Sequence, residues 1–139
     1  MNVDRYADLW LTDFPIDPDE VVRAFPIPAF LVARKGEPTG LGQRAAMRNV
    51  VIFRNGFTRA SCWTEAIEAL ISALGGWEEV GRVLNQLTGA DRLVRLTLPV
   101  SNSPHQENDF VEAATLAKLA RLDIDLGIEF TQYATVETD

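Results

Sequence analysis

The sequence is poor in the residues on which many catalytic and metal sites depend. It contains one cysteine, Cys62, and one histidine, His105. A single cysteine excludes an intrachain disulfide, which suits a reducing compartment, and structural zinc takes about four cysteine or histidine ligands. A Ser-His-Asp or Cys-His arrangement would have to use His105, which lies in the polar stretch "NSPHQEN" without a nucleophile motif. We therefore predict no catalytic residue, no metal and no cofactor.

Long apolar runs and an excess of positive charge are also missing. No stretch approaches the roughly 18 apolar residues that span a bilayer, and the opening "MNVDRYADLW" has acids where a signal peptide has cations. The formal net charge is −7, whereas nucleic-acid binding needs a cationic surface. These features predict a cytoplasmic bacterial protein without membrane or nucleic-acid partners, and the acidic balance suits a basic protein partner.

What the sequence does contain predicts a single α+β domain over residues 1–139. Apolar residues make up 47% of the chain, enough for one core. Alternation of apolar and polar residues predicts the strands, and helical spacing with capping residues at Asp17 and at Asp109 and Glu112 predicts the helices. The predicted strands cover 7–14, 29–33, 49–55, 92–100 and 122–133.

This order of elements predicts one mixed or antiparallel sheet with a helical layer. The two ends of the chain share a plan of strand, acid-capped helix and strand, so we predict two βαβ-like halves, and a ferredoxin-like pseudo-twofold is one arrangement that fits. Apolar positions at the appropriate spacing predict the core, which is expected to include Ile67, Leu70, Leu74, Leu96, Leu98, Leu122, Ile124, Leu126, Ile128 and Phe130.

Charge is distributed unevenly along the chain. Residues 34–59 contain six cations and one acid, a net charge of +5, so the remainder has a net charge of −12. Arginine binds carboxylate and phosphate in a bidentate manner, and Gly36 is expected to adopt positive φ in a turn after the 29–33 strand. The segment is therefore a candidate anion site, in which Arg34 and Lys35 are expected to lie next to Arg54. The alternative is that these cations pair with the acidic remainder. The candidate residues are Arg34, Lys35, Arg44, Arg48 and Arg54.

Three carboxylates alternate along the last predicted strand. Asp123, Asp125 and Glu129 share one strand face in "LDIDLGIEF", and such spacing suits a metal or an acid/base pair. The wet face of a half-exposed sheet requires the same alternation. We interpret these residues as surface charges.

Several short motifs resemble an uncharacterised bacterial family, domain of unknown function 4279 (DUF4279). They are "DPDEVVRAFPIPAFLVARKGEP" and the terminal "LARLDIDLGIEF", and the matching positions are Asp17, Ile27, Pro28, Lys35, Gly36, Asp123 and Asp125. Pro26 and Phe53 depart from the family's outline. The resemblance implies the order of strands and helices and implies no activity.

Two classes of function remain open from the sequence. The first is a non-catalytic binding or protein-interaction module, including an immunity-like protein that masks a basic partner. The second is a ligand sensor or an enzyme that binds an anionic small molecule through residues 34–59. A homodimer formed through a sheet edge or face is a further alternative.

Overall fold

The computed structural model describes residues 4–38, 44–100 and 108–131. The elements follow the predicted order, and the single mixed sheet with four helices confirms the α+β class. The strands are β1 (Arg5–Thr12), β2 (Leu31–Ala33), β3 (Val50–Phe57), β4 (Asp91–Pro99) and β5 (Asp125–Thr131). The helices are α1 (Pro18–Arg23), α2 (Trp63–Ala73), α3 (Trp77–Leu84) and α4 (Ala113–Arg121).

The five strands form one sheet in the order β2-β3-β1-β4-β5. The central strand β1 is antiparallel to both β3 and β4, β2 is antiparallel to β3, and β5 is parallel to β4. It follows that β1 and β2 run in the same direction with β3 between them, and that β3 and β4 run in the same direction with β1 between them.

The two βαβ-like units that the sequence predicts at the ends of the chain are both present, as β1-α1-β2 and β4-α4-β5. The split β-α-β units are β1-α1-β2 and β3-α2-α3-β4, which interleave as in a ferredoxin-like arrangement. The pair α4 and β5 extends this unit as an ordinary parallel crossover after β4. The ferredoxin-like pseudo-twofold relates β1-α1-β2 to β3-α2-α3-β4 rather than to the last third of the chain, because it depends on strand order, which the sequence does not show.

The helices cover one face of the sheet and enclose the core. Alternate residues of β1, β3 and β4 point into it, among them Leu9, Phe53 and Leu96, which are fully buried. Phe25, just after α1, packs edge-on against Phe53 with ring centroids 4.8 Å apart. The predicted core residues Ile67, Leu70, Leu74, Leu96, Leu98 and Ile124 are buried as expected.

The prediction was wrong for the outer half of β5. Ile128 and Phe130 are 43% and 45% exposed. Leu122 and Leu126 are partly buried against the core. Both exposed side chains are on the helix-covered face, but β5 is an edge strand, so they lie at the margin of the helical layer rather than beneath it.

The start of β5 also differs from the prediction. Residues 122–124 close α4 instead of beginning the strand, since Asp123 has a φ of 55°. The N–H of Asp123 donates to the carbonyl of Ala120 and that of Ile124 to the carbonyl of Leu119, which is a Schellman motif. Asp123 occupies the left-handed position usually held by glycine, a conformation that aspartate tolerates better than most residues.

Asp109 does not cap the helix that follows it. Its Oδ2 accepts from the backbone N–H of Trp63, the first residue of α2, at 3.0 Å. The residue at the N-cap of α4 is Glu112, whose own N–H donates to the hydroxyl of Thr64 at 2.9 Å. The predicted capping box of Asp109 and Glu112 is thus replaced by contacts that join the starts of α2 and α4.

None of the helices in the described part of the chain is long and apolar enough to cross a membrane.

Candidate functional site

The face of the sheet opposite the helices is here called the open face. In the described part of the chain, no helix packs against it, and its buried residue Ile52 lies outside the core cluster. The strand registers place its side chains in rows that cross the sheet. They are Tyr6, Asp8, Trp10 and Thr12 on β1, Ile52 and Arg54 on β3, Asp91, Leu93, Arg95 and Thr97 on β4, and Asp125 and Glu129 on β5.

A row of alternating charge crosses the centre of the open face. Asp8 on β1 lies directly opposite Arg54 on β3 and Arg95 on β4. Arg54 binds Asp8 in a bidentate manner, with Nε and one terminal nitrogen each 2.9 Å from a carboxylate oxygen. The Asp8 side chain is only 1% exposed. A carboxylate this deeply buried is stabilised by such a partner, because an unpaired buried charge is costly.

Aromatic rings hold the two arginines of this row against the sheet. The guanidinium of Arg54 lies 3.7 Å from the ring centroid of Phe30 and 4.4 Å from that of Tyr6. The guanidinium of Arg95 lies 4.4 Å from the ring centroid of Trp10. Cation–π contacts of this kind contribute roughly 0.5–2 kcal/mol each. The open face is therefore built from side chains that fix one another's position.

Arg95 also pairs with the edge strand, so most charge on this face is compensated locally. Its terminal nitrogen is 3.0 Å from Oε1 of Glu129 on β5. Asp91 and Asp125 differ, because neither has an ion pair with a described residue. These two exposed carboxylates give the end of the open face near Trp10 an acidic character.

A cleft with a volume of about 230 Å³ occupies this acidic end. It is lined by Trp10, Thr12, Asp91, Arg92, Leu93 and Asp125. The guanidinium of Arg92 is directed elsewhere, since it donates to the carbonyls of Leu84 and Leu122 at 2.7 and 2.6 Å, near the ends of α3 and α4. The cleft is smaller than the roughly 300–1,000 Å³ of a small-molecule site, and two carboxylates beside an indole suit a single cationic side chain.

The structure separates the residues of the predicted anion site. Arg34, just after β2, pairs with Asp17 and Asp19 at the start of α1, at 3.3 and 2.5 Å. Arg54 pairs with Asp8 on the open face. The N–H of Lys35 donates to Asn49, which lies five residues before Arg54 and so roughly 16 Å away along an extended chain. The expectation that Arg34 and Lys35 lie next to Arg54 was wrong.

The remaining members of that set are on a separate segment. Arg44 and Arg48 are both exposed, on the segment that leads into β3. Gly36 has a φ of 89°, as predicted, in the turn after β2. Anion binding by some of these residues stays a prediction, but Arg34 and Arg54 already have carboxylate partners.

The three carboxylates predicted on one strand face have separate environments. Asp123 lies in the turn that ends α4, Asp125 lines the cleft and Glu129 pairs with Arg95. Within residues 4–38, 44–100 and 108–131, no group of three or more His, Cys, Asp or Glu side chains could hold a metal ion. His105 lies outside the described residues.

A second charged cluster joins the helices on the other side of the sheet. The carboxylate of Glu68 on α2 accepts from the indole N–H of Trp77 at 2.8 Å and from the hydroxyl of Thr115 at 2.7 Å, and Lys118 lies 3.5 Å away. Burial opposes the charged form, but these donors and the lysine outweigh it and hold the pKa of Glu68 below its ordinary value. Glu68 therefore connects α2, α3 and α4.

Sequence reasoning missed most of the open-face site. It assigned no role to Asp8 and Trp10, which lie within the predicted strand 7–14. A charge in the middle of a strand, flanked by Tyr6 and Trp10, was the available signal. Its partners Arg54 and Arg95 become visible only when the strand register is known.

Comparison of the chain with protein-family models, with curated proteins and with solved structures gave no match. The resemblance to the DUF4279 family thus stays a prediction.

Proposed function

We propose that this protein is a non-catalytic protein-interaction module whose open face binds a basic segment of a partner. The observation that carries the proposal is the division of charge on that face. Asp8, Arg54, Arg95 and Glu129 neutralise one another, whereas the carboxylates of Asp91 and Asp125 lie beside the cleft without an ion-pair partner among the described residues.

Electrostatic complementarity supports a lysine or arginine side chain as the group that enters the cleft. The chain carries a net charge of −7, which accelerates encounter with a basic partner and opposes encounter with an acidic one. Trp10, which lines the cleft, is held in place by the stacked Arg95 before binding, which lowers the entropy lost on association. An immunity-like role, in which the chain masks a basic protein, is one form of this function.

The alternative of an anion sensor has less support. It requires Arg34, Lys35 and Arg54 to act on one ligand, but Arg34 and Arg54 are bound to carboxylates at different places on the molecule. An anion would have to displace these carboxylates before it could bind.

Nuclear magnetic resonance titration with two peptides of equal length, one rich in lysine and arginine and one rich in glutamate, tests the proposal. The basic peptide should shift the indole N–H resonance of Trp10 and the backbone amides near Asp125, and the shifts should weaken as salt is added. The acidic peptide should leave these resonances unchanged.

Charge-neutral variants make the test specific for the cleft. The double variant Asp91→Asn with Asp125→Asn should lose the shifts caused by the basic peptide. The matched control, Glu20→Gln with Glu78→Gln, removes two exposed charges from the helical layer. It should retain the shifts caused by the basic peptide. Equal shifts in both double variants, or no shifts in the unmodified protein, would exclude the cleft as the contact site.

A further inference from the structure

The edge strand β5 presents an apolar surface that the described part of the chain leaves exposed. Ile128 and Phe130 are 43% and 45% exposed, and in the described part of the chain β5 pairs only with β4. Natural edge strands are usually protected by lysine, proline, a bulge or a covering element. The acids of β5, Asp125 and Glu129, are both on the open face, so the face that carries Ile128 and Phe130 has no charge from this strand.

The helix above this edge extends the apolar surface. On α4, Thr115 and Lys118 turn towards Glu68 of α2, and Leu119 is buried. Helix geometry then directs Leu116, which is 41% exposed, away from α2 and towards the β5 side. Next to Leu116, the exposed positions Ala113, Ala117 and Ala120 are uncharged, whereas Glu112, one turn earlier at the N-cap, is exposed and charged.

The backbone of β5 has hydrogen-bonding groups directed towards the outside. The carbonyl of Thr131 accepts from the N–H of Val100 at 2.9 Å, on the side of β4. Since successive residues of a strand direct their N–H and C=O groups to opposite sides, those of Leu126, Ile128 and Phe130 point to the free edge. The residues with exposed apolar side chains are thus also the ones able to pair with another strand.

Charge selects one register for pairing with a second copy of β5. An antiparallel pair centred on Gly127 places Asp125 opposite Glu129 of the copy, twice, and like charges directly opposite are destabilising. A pair centred on Glu129 places Glu129 directly opposite Glu129 of the copy, which is again a pair of like charges. A pair centred on Ile128 places Asp125 opposite Thr131 and Glu129 opposite Gly127.

The register centred on Ile128 also makes the largest number of pairs. It aligns all seven residues of β5 with their copies, because Asp125 and Thr131 are equally distant from Ile128. On the helix-covered face, Leu126 then meets Phe130 of the copy, and Ile128 meets its own copy. The strand is therefore self-complementary in shape, polarity and charge about one residue, as a twofold interface requires.

We propose that two copies of this chain form a symmetric dimer through antiparallel β5 strands centred on Ile128. The two sheets join into one of ten strands, and the Leu116 sides of the two α4 helices meet above it. Because each chain carries a net charge of −7 and the contact is apolar, added salt strengthens the dimer by screening repulsion. This proposal uses a different surface from the cleft and does not depend on it.

Opposite charges at the twofold centre test the dimer and its register together. Sedimentation equilibrium over a dilution series should show a dimer for the unmodified protein and monomers for Ile128→Lys and Ile128→Glu alone. Mixing these two variants should restore a dimer, because lysine and glutamate then lie opposite each other. The controls Met47→Lys and Met47→Glu change an exposed residue outside the interface and should remain dimeric. Circular dichroism checks that each variant is folded.

Disulfide trapping provides a second measurement that does not depend on affinity. In a Cys62→Ser background, Ile128→Cys should cross-link under mild oxidation, since hydrogen-bonded antiparallel partners have Cα atoms about 5.5 Å apart, within the range for a disulfide. Glu129→Cys, at the centre of one of the two rejected registers, should not cross-link. A monomer at every concentration, no dimer on mixing the charged variants, or stronger cross-linking at position 129 would overturn the proposal.

Discussion

The two faces of the central sheet exclude water by different means. The covered face does so with aliphatic and aromatic side chains such as Leu9, Phe53 and Leu96, which pack beneath helices. The open face has no helix over it in the described part of the chain, yet Asp8 at its centre is fully buried. There, Arg54 is stacked on aromatic rings and binds the carboxylate. The comparison shows that a sheet can bury a charge without a second layer when a cross-strand arginine pairs with the charge and its guanidinium is stacked on aromatic rings.

This difference predicts different responses to substitution on the two faces. On the covered face, the cost of truncation should follow the depth of burial. On the open face, the cost of truncation should depend on which member of an ion pair is left without its partner.

The largest effect is expected at the centre of the covered face. Leu96→Ala removes a fully buried side chain and should lower the free energy of unfolding by about 2–5 kcal/mol. Leu126→Ala makes the same chemical change at the edge, where the side chain is only partly buried, and should cost roughly 1–2 kcal/mol. Urea denaturation measures both. Equal losses would contradict the assignment of β5 to the margin of the helical layer.

An intermediate effect is expected at the ion pair of the open face. Arg54→Ala leaves the buried carboxylate of Asp8 without its bidentate partner and should cost about 3 kcal/mol. Asp8→Ala should cost less, because the Arg54 side chain is 26% exposed and remains stacked on Phe30 and Tyr6. Denaturation of both variants and of the double variant gives the coupling energy. A larger loss for Asp8→Ala than for Arg54→Ala would be inconsistent with this account.

The smallest effect is expected at Glu68 in the helical layer, and it depends on pH. Its pKa is lower in the folded protein than the ordinary value of 4.5. The carboxylate therefore stabilises the fold above about pH 4.5, and this contribution disappears as the pH falls through the folded pKa. Because the side chain is 36% exposed, we expect less than about 1 kcal/mol.

Glu68→Gln should flatten the dependence of stability on pH in the acid range. Thr115→Val removes one of the donors to Glu68 and should give an intermediate slope. Thermal denaturation between pH 3 and pH 6 would measure these slopes. A steeper acid transition in Glu68→Gln than in the unmodified protein would contradict the direction of the pKa shift.

Local patterns predicted most of the fold because they depend on residues close together in the chain. Asp17 marked the start of α1, Gly36 marked the turn after β2, and the alternation around Leu96 marked β4. Asp109 was assigned to the nearer helix because a capping box is a local motif. Its contact with Trp63 joins residues 46 positions apart, which no local pattern encodes.

The candidate site was less predictable for the same reason. Clustering of cations along the chain suggested that Arg34, Lys35 and Arg54 act together, but Arg34 and Arg54 pair with different carboxylates. The site that the structure presents draws on β1, β4 and β5. Its members Trp10, Asp91 and Asp125 are separated by tens of residues in the sequence.

The sequence by itself determined the α+β class, the order of elements, most of the core and the acidic balance of the chain, since each follows from composition or from periodicity within a few residues. The tertiary structure decided which strand lies at an edge, which face remains open and which charge meets which. Asp8 and Asp125 are both acids within strands, yet Asp8 is buried and paired with Arg54, whereas Asp125 lines an exposed cleft. The physical reason is that cross-strand neighbours set a side chain's burial and electrostatic partners, and strand order and register together determine those neighbours.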